Sequence, residues 1–276
     1  MEIQDTLAPE CCTSKLVARS KDEALNALAA LAARSPACAG IPQQTIYSVL
    51  AKRESQGSTG FGNEVALPHA RLEGLTRFVV FVAVAPRGVA FDALDKKKVR
   101  LFFVILGPPE QVNQHLRILA TISRLVAHTG LKRELISARS VEAMIESLVR
   151  NIGEPLPAGQ GQQREAMKLM LISLYVEEHL HEILEVLVEL GVEGASILDA
   201  TGMGRYISNV PIFAEFIGFM QERKNFSKTI LALVPERHVH KVVESIESVT
   251  GDLNTREGAA IVVLDISLYK GTMKMM

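Results

Sequence analysis

The sequence predicts two domains in tandem: an α/β domain whose central strands are covered by helices on both sides, then an α+β domain of βαββαβ order. Three observations carry this. Residues 77–85 and 99–106 are nearly continuous apolar runs, too apolar for a sheet with one face in water. Apolar residues at helical spacing flank them on both sides. From residue 167 onward the order of strand-length and helix-length segments changes, after a stretch with no apolar period.

Residues 1–19 suggest no element. Ser20 caps a helix over 21–34, with acids in its first turn and an Ala/Leu face. A loop with Pro36 and Gly40 leads to a second helix, 43–55, whose Ile46, Val49 and Leu50 fall at i, i+3 and i+4. Arg53 lies at i+7 on that same inward face. A charge there needs an anionic partner, unless the stem packs and the head reaches the surface. Next comes Gly57-Ser58-Thr59-Gly60-Phe61-Gly62-Asn63-Glu64-Val65-Ala66-Leu67-Pro68-His69-Ala70. Its glycines let a backbone turn through positive φ and offer N–H groups to an anion, and the proline fixes the chain beside the histidine.

The two apolar strands follow. Pro108 and Pro109 then open a helix over 110–127, proline being comfortable in a first turn. Val112, Leu116, Leu119, Ile122 and Val126 form its buried face, and His115 shares that face with Ile118, Leu119 and Ile122. A histidine there serves either as a hydrogen-bonded core residue or as a functional one. Helices near 131–137 and 141–149 close the domain. The run NIGEPLPAGQGQQR is rich in Pro, Gly and Gln, so residues 151–165 read as a linker between domains at 1–150 and 166–276.

Beyond it come a strand at 167–176, a helix at 178–190 and a short strand at 195–200, then an irregular segment, 201–226. A strand at 229–234, a helix at 236–249 and a strand at 259–267 complete the chain. This order is the ferredoxin-like pattern, an antiparallel four-stranded sheet with both helices on one face.

Composition narrows the partners. The 276 residues are 48% hydrophobic with a net charge of −1, a soluble globular composition without the basic excess that nucleic-acid binding uses. The N-terminus is acidic and no apolar run is long enough for a signal peptide or a membrane span, so a cytoplasmic chain is expected. Cys11, Cys12 and Cys38 show no metal or redox spacing and read as reduced thiols. No metal and no other cofactor is expected.

His69, Arg53 and His115 are the groups a phosphoryl carrier needs. The nucleophile must hold phosphorus as a labile phosphoramidate, which suits an imidazole. Cations and hydrogen-bond donors must stabilise charge on the equatorial oxygens. The Ser58 and Thr59 hydroxyls and the N–H groups of Gly60 and Gly62 are candidate phosphate-binding donors.

Arg53-Glu54, Gly57-Ser58-Thr59-Gly60-x-Gly62-Asn63 and Val65-Ala66-Leu67-Pro68-His69 resemble the fructose/mannitol-type EIIA domain of the bacterial sugar phosphotransferase system, above all its nitrogen-related branch. The resemblance runs on through Phe91-Asp92-Ala93-Leu94-Asp95 to Gln114-His115-Leu116 and covers roughly residues 5–150. It implies a mixed sheet between helices, with His69 phosphorylated by an HPr-like carrier protein. It also implies His115 as the second active-site histidine and Arg53 as the flanking cation. EIIB or a regulatory target would be the next partner, with Phe61, Leu67 and Leu72 as candidate docking residues. Glu64 departs from the pattern, standing where the family often has glycine.

Gly191-Val192-Glu193-Gly194, Thr201-Gly202-Met203-Gly204-Arg205 and the segments 229–249 and 261–265 resemble the nitrogen-regulatory PII family, whose trimers sense nucleotides and 2-oxoglutarate. The loop expected to hold nucleotide phosphates, 250–258, carries one arginine, and the closing basic motif reduces to Lys270. Phosphate binding needs donors and positive charge, so this argues against nucleotide sensing. Phe213, Phe216, Ile217 and Phe219 form an apolar cluster suited to a homo-oligomer interface or an internal plug. The rival to a phosphocarrier is a regulatory binding module in which His69 is never phosphorylated and the second domain senses a metabolite.

Overall fold

The computed structural model describes residues 3–93, 95–127, 129–153, 166–192, 194–201, 227–255 and 258–269. Most of the expected linker, the aromatic cluster at 213–219, the Gly202–Arg205 motif, Arg256 and Lys270 lie outside them. The chain divides into two compact units, Met1–Gln160 and Gly161–Met276.

In the first unit, α1 (Lys21–Ala32) starts at Ser20, whose side chain accepts from the Glu23 N–H. Helix α2 (Gln43–Ser55) buries Ile46 and Leu50 and ends with Lys52 and Arg53 in its last turn, where cations suit the carbonyl end. The sheet follows as β1 (Gly60–Gly62), β2 (Val65–Ala66), β3 (His69–Arg71), β4 (Val79–Val89) and β5 (Val99–Gly107). Strand β5 is central: β4 pairs it antiparallel on one side, and β2 and β3 pair it parallel in succession on the other. The sheet is therefore mixed. Residues 79–85 of β4 are all buried, and so is every residue of β5 except Arg100, as strands covered on both faces require. The chain before α1 also lies along β4, with the Ala8, Thr13 and Leu16 N–H groups donating to the Val80, Val82 and Val84 carbonyls.

Three helices complete the unit: α3 (Val112–Ala127), α4 (Thr129–Ser137) and α5 (Val141–Gly153). Helix α3 begins two residues later than the sequence suggests, because the segment after Pro109 forms a turn first. Helix α5 runs through Gly153, so residues 151–153 are helical rather than linker.

The second unit consists of β6 (Met167–Leu174), α6 (Leu180–Glu189), β7 (Ala195–Asp199), β8 (Lys228–Pro235), α7 (Val239–Thr250) and β9 (Ala259–Asp265). Its strands form an antiparallel sheet in the order β7-β8-β6-β9. Burial alternates with period two along the central strands β6 and β8. Met170, Ile172, Leu174, Ile230, Ala232 and Val234 are fully buried with Ile183, Val242 and Ile246 of the helices. The other face carries Leu169, Leu171, Leu231 and Leu233 in the middle and exposed Leu198, Val262 and Leu264 toward its edges. No described helix is long and apolar enough to cross a membrane.

Candidate functional site

The path Val65–Arg71 runs parallel to β5 and breaks at Leu67 and Pro68. Proline has no N–H to give the ladder, but its carbonyl still accepts from the Ile105 N–H at 3.0 Å. His69 then rejoins the sheet opposite Ile105. This pins the backbone on both sides of the imidazole, which is 1% exposed.

Both ring nitrogens of His69 are engaged. Nδ1 lies 2.8 Å from the Leu67 carbonyl oxygen. A carbonyl only accepts, so Nδ1 carries the hydrogen and Nε2 the lone pair. That lone pair accepts from Arg53 Nε at 3.0 Å, while Arg53 Nη1 donates to the Gly57 carbonyl at 3.2 Å. Arg53 is half-buried. Its head thus reaches both the imidazole and a backbone carbonyl of the glycine loop.

His115, from α3, is fully buried, and its ring meets His69 edge-on with centroids 5.5 Å apart. Phe78 lies behind it at 6.1 Å. That stacking depends on Gly107: a Cβ there would lie 2.2 Å from Phe78 Cε1. A glycine at the end of β5 therefore lets Phe78 fill the space behind the histidine pair.

The loop before β1 is ordered by Glu54. This buried carboxylate accepts from the Thr59 N–H at 2.9 Å and the Thr59 hydroxyl at 2.6 Å. Lys21 Nζ is 3.1 Å from its other oxygen and 2.8 Å from Asp92. Burial pulls the Lys21 ammonium pKa down, but hydrogen bonds to Asp92 and Glu54 outweigh this and raise it. Glu54 was not among the sequence candidates, although it sits next to Arg53. A glutamate in a last helical turn reads as solvated, and only its distance to the Thr59 backbone identifies its role.

The remaining candidates are placed as follows. Ser58 Oγ donates to the Phe91 carbonyl at 3.0 Å and accepts from the Gly60 N–H at 3.2 Å. The hydroxyl hydrogens of Ser58 and Thr59 are thus committed to the loop's own scaffold. Gly60 packs against Ala93, where a Cβ would come within 2.6 Å of the Ala93 Cα. Gly62, at φ +89°, ends the strand beside the Asp95 carboxylate. The structure brings Arg53 and His115 to His69 and gives these four residues other partners.

Two docking candidates are corrected. Leu67 and Leu72 are 1% and 0% exposed, because the path Val65–Leu72 lies against β5 as part of the core, so their side chains offer no apolar area for docking. Phe61 is half-buried on β1. Glu64 turns out to be the second residue of a two-residue hairpin loop between β1 and β2. It has φ +68° after Asn63 at +51°, the pair of left-handed residues that a type I′ turn needs.

Residues 6–151 match the family described as phosphoenolpyruvate-dependent sugar phosphotransferase system, EIIA 2. The nitrogen regulatory protein of Escherichia coli (strain K12) is 33% identical over 156 residues, which cover 56% of this chain and 94% of that protein. The fructose-specific EIIA component of the phosphotransferase system of Haloferax volcanii is 33% identical over 99 residues, covering 36% of this chain and 64% of that protein. Among solved structures, the nitrogen regulatory protein IIA-Ntr from Neisseria meningitidis superposes with a TM-score of 0.50 and 26% identity, covering 53% of this chain and 98% of that one. The mixed sheet, the paired histidines and these matches agree: the chain belongs, through its first unit, to the EIIA 2 family of the phosphotransferase system.

Proposed function

We propose that the first unit is a regulatory phosphocarrier in which His69 accepts a phosphoryl group from an HPr-like carrier protein. The observation that carries this reading is the fixed tautomer of His69. With Nδ1–H held by the Leu67 carbonyl, the nucleophilic lone pair is confined to Nε2, beside a guanidinium.

Nε2 attacks phosphorus of a protonated phosphohistidine on the donor. The new N–P bond forms as the donor's N–P bond breaks, and that electron pair stays on the donor's imidazole, which leaves neutral. The positive charge moves to the His69 ring, whose Nδ1–H keeps its bond to Leu67. Once bonded to phosphorus, Nε2 can no longer accept from Arg53, so the guanidinium turns its donors to the phosphoryl oxygens. His115, whose ring meets that of His69, is in this reading the second group to bond those oxygens. The similarity to proteins described as nitrogen regulatory proteins favours signalling by the phosphorylated state over sugar uptake. A dianionic group at this site alters the charge that an EIIB or regulatory target would meet. The test is incubation with the general phosphotransferase proteins and phosphoenolpyruvate, scoring acid-labile phosphate on wild type and on His69→Ala. Label on wild type only is expected; no label on wild type contradicts the carrier.

A second reading concerns the other unit. The βαββαβ order with antiparallel pairing is what a ferredoxin-like, PII-like domain would have, and its open apolar face is suited to other copies of the chain. In that reading the domain forms a homo-oligomer, and a metabolite bound by it regulates the assembly without phosphate on His69. Light scattering on the full chain tests the first part; a monomer at all concentrations contradicts it. Calorimetry with ATP, ADP and 2-oxoglutarate tests the second, and absence of binding contradicts sensing.

A further inference from the structure

At the far end of β5 from His69, the first unit has a cavity of about 310 Å³ that the phosphocarrier reading does not use. Arg100 lies five residues before Ile105, the partner of His69, which is roughly 16 Å along a strand. Arg87, Lys97, Lys98, Arg100 and Lys132 line this cavity, and Glu64 is the one acid among its lining residues. These cations come from β4, the turn before β5, β5 itself and α4, so the fold, not the local sequence, gathers them.

The charges there are only partly neutralised, and Lys132 Nζ also donates to the Asn63 carbonyl at 3.0 Å. The Glu64 carboxylate stands 3.6 Å from Arg100 Nη1 and 3.6 Å from Lys132 Nζ, outside hydrogen-bond range of both. Lys97 lies 3.7 Å from Asp95 at the rim. Arg100 Nε is buried and has no hydrogen-bond partner among the described residues. Five cations around one concavity repel each other, a cost that a bound anion removes. Glu64 occupies the anion's place only in part, from a backbone conformation that disfavours a side chain.

The walls also describe the ligand. Every side chain that lines the cavity is polar or charged. It offers neither an apolar slot nor an aromatic face, the features that anchor a protein partner or stack a base. Its volume is at the small end of ligand sites, and its charge calls for several negative charges in a compact group. We propose that this cleft is a second anion site, which binds a small molecule carrying two or more linked phosphate groups and displaces Glu64 from Arg100 and Lys132.

The test uses the full chain at low ionic strength, titrated with pyrophosphate and with ADP and followed by calorimetry and amide NMR. Saturable binding that shifts the Asn63, Gly88 and Lys98 amides is expected. The double variant Arg100→Gln, Lys132→Gln should weaken it at least ten-fold, and Glu64→Gln should tighten it several-fold. Equal affinity for both ligands identifies the linked phosphates as what is read; tighter ADP identifies a nucleotide as the source. The thermal melt of the double variant is recorded alongside; if that variant does not fold, Glu64→Gln decides. The proposal fails if binding is not saturable, or if shifts are confined to the residues around Arg53 and His69. It also fails if Glu64→Gln weakens binding, or if a glutamate-rich peptide binds where the phosphates do not.

Discussion

Arg53 donates its Nε–H to Nε2 of His69 at 3.0 Å, on the ring whose Nδ1–H is held by Leu67. The cation therefore rests on the nitrogen that phosphorus would take. Replacing it leaves the lone pair more open but removes the donor that would stabilise the transferred group. Arg53→Gln should slow phosphoryl acceptance by roughly 10²–10³-fold, the loss seen when one transition-state donor is removed. Arg53 is half-buried at a helix end, so stability should change by less than about 1 kcal/mol. Single-turnover transfer with a thermal melt separates the two effects. A wild-type rate removes Arg53 from the site.

His115 is fully buried against His69 and Phe78, so its removal has two consequences. His115→Ala should slow transfer by roughly 10²-fold, within the range for a positioned acid–base or hydrogen-bonding group. The cavity should also cost about 2–3 kcal/mol of stability. Urea unfolding reads the second and rapid-quench transfer the first. Transfer at the wild-type rate in a folded variant would make His115 a core residue only.

Glu54 should prove a structural residue of the site. Removing its carboxylate leaves the Thr59 N–H and hydroxyl without their acceptor and strips Lys21 of one partner. Glu54→Ala should destabilise the first unit by about 3 kcal/mol, with the Thr59 amide losing protection from hydrogen exchange. Unchanged protection at Thr59 contradicts this role.

How much of this was legible in sequence follows the range of the interactions. Helical period alone placed Arg53 and His115 on inward faces, because a helix fixes which residues share a side. The glycine-proline loop pointed to His69 because both residue types constrain backbone locally. Leu67 and Leu72 were misread as surface because their burial depends on β5, more than thirty residues away. The roles of Ser58, Thr59 and Glu54 depend on hydrogen bonds that no periodicity encodes. Glu64 stood out as unusual, but its neighbours Arg100 and Lys132 come from a strand and a helix that only the fold brings together.

The three cysteines give a pH dependence with a definite sign. Burial, followed by the charge of Glu10, pushes the Cys11 thiol up to about 12, and burial raises Cys12 and Cys38 as well. A folded-state pKa above the unfolded value means that the contribution to stability is complete below about pH 8.5–9. It is lost as pH rises from there toward 12. Native protein at pH 8 should therefore resist Ellman's reagent at Cys11, while urea-unfolded protein exposes all three thiols. Prompt labelling of Cys11 in the native state would contradict its burial.

The tautomer of His69 is the centre of the proposed chemistry, and the nitrogen that carries phosphorus tests it directly. Nitrogen-15 and phosphorus-31 NMR of the enzymatically phosphorylated full chain, with labelled imidazoles, identifies that nitrogen. Phosphorus coupled to Nε2 of His69, with a protonated Nδ1, is the expected result. Phosphorus on Nδ1, on His115 or on no histidine would contradict it.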